Sequence, residues 1–161
     1  MIVSVQDLMS VARPALERGQ RVRMVAKGSS MLPFIRSGDV VELTSTEMGP
    51  ARGDVVVAQT APGRYVIHRV VRVAGEGVWL RGDSQRRAEG PVVPGEVFGR
   101  VAAVERSGRR WRLDRGVWRL SGWAWMTTHP VGLAALWVSL SIWKLVRRQG
   151  SDDPVKGPEP Q

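Results

Sequence analysis

Two kinds of hydrophobic spacing divide this chain. Over residues 4–18, Val5, Leu8, Met9, Ala12 and Leu16 recur at helical steps, which predicts an amphipathic helix. Ser4 with Asp7 resembles a capping box and Gly19 is a natural stop, while Pro14 falls where it can kink the last turns. Such a helix either covers a core or lies on lipid or a partner. From Arg21 to Asp114 the pattern changes to short Val-rich runs bounded by Gly, Pro or Asp. The runs are 21–27, 39–43, 54–59, 64–73, 77–82, 96–105 and 109–114. Strands at that spacing predict a mainly β fold, a compact antiparallel sheet or small barrel.

A third pattern follows. Residues 120–143 carry no Asp, Glu, Lys or Arg, and Trp118, Trp123, Trp125, Trp137 and Trp143 cluster in and around them. The length would span a bilayer, and tryptophan favours its interface. However, His129-Pro130 interrupts the run, and arginines flank both ends. Residues 115–149 are therefore expected to be helical and membrane-associated, spanning or interfacial, or else a helix pair packed on protein. Residues 150–161 are polar, rich in Pro and Gly, and read as a disordered tail. The expected organisation is a helix over 1–19, a catalytic domain over 20–114, the Trp-rich segment and the tail.

Composition narrows the chemistry. A chain of 161 residues, 43% hydrophobic and 24% charged, can bury one core. The net charge of +9 favours anionic lipid, nucleic acid or acidic peptides without choosing among them. There is no cysteine and there are only two histidines, His68 and His129. Thiolate catalysis and cysteine-ligated zinc are excluded, and a histidine-rich metal site is not expected. The N-terminus lacks the basic start and apolar run of a secretory signal.

Three blocks can carry chemistry. Gly28-Ser29-Ser30-Met31-Leu32-Pro33 places serines between a flexible and a stiff residue. A serine on such a turn presents both its oxygen and its N–H, one to attack and one to help bind an oxyanion. Tyr65-Val66-Ile67-His68-Arg69-Val70-Val71 puts a histidine inside a strand pattern, with an ordinary pKa suited to a general base. Arg81-Gly82-Asp83-Ser84-Gln85, followed by Glu89, offers two acids, either of which can orient a histidine. Each block alone also fits a turn or a structural strand residue.

Together the blocks resemble the signal peptidase I superfamily of S24- and S26-type serine peptidases. The matching stretches are 28–41, 52–58, 66–73, 80–84 and 97–104, in order. Within it they resemble the branch of archaea, the endoplasmic reticulum and spore-forming bacteria, which carries histidine where the bacterial type carries a lysine base. The resemblance implies a coiled antiparallel sheet and a Ser30–His68 dyad, with Asp83, or Glu89, as a third catalytic member. It implies substrate and oxyanion contacts from Gly28, Ser29 and Met31. It implies a peptide or preprotein substrate with small residues near the cut, and no cofactor or nucleic-acid partner. Glu89 stands where the family usually has Asp, and Gly28 where signal peptidases often have a hydroxyl. The family's anchor precedes the serine, so here an anchor is expected after the catalytic domain. Two rivals remain: a self-cleaving relative of the SOS repressors, although no Ala-Gly pair precedes Ser30, and a degenerate peptide- or membrane-binding module.

Overall fold

The computed structural model describes residues 5–46, 48–113 and 124–125. The chain divides into two compact units, residues 1–127 and 128–161, and every described residue belongs to the first. The expected helix is α1, Val5–Glu17, which runs through Pro14. Ala12 and Leu16 are buried in the core, and hydrogen bonds from Gly19 N to Leu16 O and from Gln20 N to Ala15 O close its end.

All seven expected strands are present. They are β1 (Val22–Val25), β2 (Val40–Thr44), β3 (Val55–Ala61), β4 (Arg64–Ala74), β5 (Gly77–Arg81), β7 (Val97–Arg106) and β8 (Arg109–Arg112). An eighth strand, β6 (Glu89–Val92), precedes a single 3₁₀ turn, Pro94–Glu96. The pattern missed β6 because its sequence is Glu-Gly-Pro-Val, and Gly and Pro are depleted in strands. Proline is tolerated there because β6 is an edge strand.

The described strands form one antiparallel sheet in the order β1-β2-β7-β3-β4-β5-β6, with β8 also pairing β7. β7 holds the sheet together: β2 lies along one side, while β3 and β8 share the other. The sheet curls into a half-barrel, as expected for a mainly β fold.

Two apolar clusters lie on opposite faces of β3 and β4. Val55, Val57, Tyr65 and Ile67 join the larger one, with Met31, Ile35, Val41, Leu43 and the helix. Val56, Ala58, Val66 and Val70 join the smaller one, with Val78, Leu80, Val92 and Val97. The split follows from side chains alternating along a strand.

The expected helical segment and tail, residues 115–161, lie outside the described residues apart from Ala124 and Trp125. Among the described residues, no helix is long and apolar enough to cross a membrane.

Candidate active site

The serines sit on the loop between β1 and β2. Gly28 opens it with φ +92°, a conformation that costs glycine little. The neck is tied by hydrogen bonds from Ala26 N to Asp39 O and from Gly38 N to Ala26 O. Inside it, Ile35 N donates to Met31 O at 2.9 Å, and the side chains of Met31 and Ile35 are both buried. These two anchors leave Ser30 half-exposed beside them. Met31 is thus a core residue, and what it can present to a substrate is its backbone.

Asp39 closes the loop from below. Its carboxylate accepts from Arg36 N at 2.7 Å and from Arg106 Nε and Nη2 at 2.7 and 2.6 Å. Burial alone would raise this carboxyl. The Arg106 guanidinium and the Arg36 N–H outweigh burial and hold it below the ordinary value of 3.8.

His68 lies mid-strand in β4, opposite Val56 of β3. Cross-strand partners share a face, so His68 shares the face of the smaller cluster with Val56, Val66 and Val70. It is 2% exposed, and its Nδ1 has no hydrogen-bond partner. Burial is the main influence holding its pKa below the ordinary 6.5; the charge of Glu89 opposes this and that of Arg64 adds to it. The imidazole is therefore neutral at pH 7, the form that accepts a proton.

The loop after β5 packs on the serine loop. Arg69 pairs with Arg81 as the last rung of the β4–β5 ladder, and Gly82 follows it. A Cβ added to Gly82 would meet the Ser30 carbonyl oxygen at 2.5 Å and the Ser30 Cβ at 2.9 Å. Ser84 fastens the same contact: its N–H donates to Ser30 O at 2.9 Å, and its Oγ lies 3.0 Å from both Ser29 O and Ser30 O. Ser29 is thus held through its carbonyl.

The two acids part company. Asp83 accepts from Arg69 Nε and Nη2, both at 2.7 Å, in a pair whose side chains are only 6% and 3% exposed. Arg69 follows His68 in the strand, so it shares the opposite face with Tyr65 and Ile67. Its guanidinium lies 5.4 Å from the Phe34 ring centroid. The Asp83 carboxylate is thus joined to Arg69, and His68 Nδ1 receives nothing from it.

Glu89 stands on the other face. It pairs with Leu80, which pairs with Val70, and that row shares the face of His68. Its Oε1 accepts from Arg64 Nη2 at 2.8 Å, while its Oε2 is buried without a partner. Arg64, four residues before His68, lies on the same face. An unpartnered carboxylate oxygen and an unpartnered imidazole nitrogen thus occupy one side of the sheet. Among the described residues, no three His, Asp or Glu side chains gather as metal ligands.

The Peptidase S24-like family model matches residues 3–102, more than half of the chain. The chain belongs to the Peptidase S24-like family. The match covers α1, the serine loop, β4, Gly82, Asp83 and Glu89, so all of these lie within the S24-like domain. It places the chain within the superfamily indicated by the motif blocks, as a peptidase-fold protein of the serine type. A comparison with curated proteins gives no match.

Sequence reasoning missed Arg64, Arg69, Ser84 and Arg106 in this S24-like domain. Arg69 carried a signal, since a cation inside a Val-rich strand requires a buried partner. The others depend on register, which spacing alone does not show.

Proposed function

We propose that this S24-like chain is a serine endopeptidase that cuts leader or signal peptides, with Ser30 as nucleophile and His68 as general base. The observations that support the reading are a buried His68 with an unpartnered Nδ1 and a half-exposed Ser30 whose loop packs on Gly82, one residue past the β4–β5 ladder, all within the S24-like domain. Neutral His68 takes the Ser30 proton as Oγ attacks the scissile carbonyl. Backbone N–H groups of the serine loop stabilise the oxyanion. The tetrahedral intermediate collapses to an ester on Ser30, and His68 returns the proton to the leaving amine. A water molecule, deprotonated by His68, then hydrolyses the ester. Glu89 takes the third role, supporting the imidazolium through its unpartnered oxygen, while Asp83 braces Arg69.

Replacement tests the assignment. Ser30→Ala and His68→Ala should each abolish cleavage of an extended peptide with small residues at the cut, and leave the β circular-dichroism signal unchanged. Cleavage surviving in Ser30→Ala would falsify it.

The family match keeps a second reading in view, self-cleavage of this chain. A loss of intact mass during overnight incubation of the wild type, absent in Ser30→Ala, would favour it. For location, we place the enzyme at a membrane surface through residues 115–149, on the strength of their tryptophans and flanking arginines. Flotation with anionic vesicles tests that placement; loss of flotation on deleting 115–161 supports it, and unchanged flotation rejects it.

A further inference from the structure

Asp83 and Ser84 share one peptide unit, and both of its polar ends are engaged. The indole Nε1–H of Trp125 donates to the Asp83 carbonyl at 2.9 Å. At the other end of the same unit, Ser84 N–H donates to the Ser30 carbonyl at 2.9 Å. The peptide is trans, so its C=O and N–H point in opposite directions within one rigid plane. The two bonds therefore run in series from the indole to the carbonyl of the nucleophile. Bonds in series polarise one another, and turning the plane would strain both.

The indole is held from a second side. Its ring meets Phe34 in a T-shaped contact, with centroids 5.8 Å apart and planes at 88°. Phe34 faces the Arg69 guanidinium, and Arg69 returns to Asp83 through its two hydrogen bonds. Trp125, Asp83, Arg69 and Phe34 thus close a ring of contacts. It joins the serine loop, β4, the loop after β5 and the chain beyond β8. Trp125 lies outside residues 3–102, so this member comes from outside the matched S24-like domain.

The geometry points to Trp125 as a positioning residue for Ser30, acting through the Asp83–Ser84 peptide; this rests on Ser30 being the nucleophile. A ring that only glued the segment to the domain would not need its N–H aimed at this carbonyl. The N–H and the aromatic contact can be separated. Trp125→Phe keeps a ring for Phe34 and removes the donor, whereas Trp125→Ala removes both.

The test uses the full chain and two readouts: the second-order rate at which Ser30 displaces fluoride from a fluorophosphonate probe, and exchange of the Ser84 amide hydrogen. Trp125→Phe should slow labelling roughly three- to tenfold, the worth of one hydrogen bond, and speed Ser84 exchange by a similar factor. Trp125→Ala should be at least as slow. Exchange of core amides such as Val57 should stay at the wild-type rate, which separates a local effect from general loosening. Wild-type labelling in Trp125→Phe overturns the inference. If wild-type protein does not label at all, the serine-peptidase reading fails instead. Ser84 exchange then decides alone: faster exchange in Trp125→Phe upholds the hold on the Ser30 backbone, and unchanged exchange overturns it.

Discussion

Ser30 stands against Gly82 with no space for a side chain between them, since a Cβ at 82 would lie 2.5 Å from the Ser30 carbonyl oxygen. The obstruction is backbone, which cannot swing aside as a flexible side chain would. Gly82→Ala should therefore move Ser30 before it unfolds the sheet. We expect a destabilisation of about 1–3 kcal/mol, typical of overpacking, together with at least tenfold slower fluorophosphonate labelling of Ser30. A variant that melts lower but labels at the wild-type rate would show that the contact serves packing alone.

In the proposed mechanism, the rising limb of activity with pH reports His68. Its folded pKa lies below 6.5, so the limb should lie below 6.5 as well. Glu89 raises that pKa and Arg64 lowers it. Glu89→Gln should then shift the limb to lower pH, and Arg64→Gln should shift it to higher pH. Steady-state kcat/KM between pH 4 and 8 checks both signs. Shifts in the same direction, or none, would remove Glu89 and Arg64 from the electrostatics of the base.

Asp83 should behave differently from Glu89. Asp83→Asn leaves Arg69 buried with its charge uncompensated, which typically costs about 3–5 kcal/mol. Urea unfolding should record that loss. The pH limb of the remaining activity should stay within experimental error of the wild type, because both Asp83 oxygens face Arg69. A limb that moves as much as in Glu89→Gln would restore Asp83 as the partner of the imidazole.

Among the described residues, His68 and Asp39 both contribute less to stability as pH falls. His68 folds neutral, so its contribution is complete above pH 6.5 and declines as pH falls toward its depressed folded value. Asp39 folds ionised with its pKa depressed, so its contribution is present above 3.8 and disappears as pH falls through the folded value. Asp39→Asn should cost roughly 2 kcal/mol at neutral pH, given the charge-assisted bonds from Arg106, and should flatten the loss below pH 4. Melting curves at pH 3, 5 and 7 test it; parallel curves for wild type and variant would remove Asp39 from the acid response.

Much of the sheet was legible because Val-rich runs between Gly, Pro and Asp have few other folds open to them. β6 was not, because Gly90 and Pro91 carry no strand preference and form one only by lying along β5. The candidate residues were legible by type but not by face. Ser30, His68, Asp83 and Glu89 all stand out in sequence, yet which acid shares a side with His68 depends on how β4, β5 and β6 align. Trp125 shows the same limit. Read by composition, it joins a membrane-seeking cluster; in the fold its indole N–H serves the Asp83 carbonyl.

His68 and Arg69 are neighbours in one strand, yet they serve opposite layers. Sliding β4 by a single residue would push a guanidinium into the smaller apolar cluster and carry the imidazole to the opposite face. A one-residue slip would thus bury a charge in an apolar layer, and the cost of that burial fixes the register of β4.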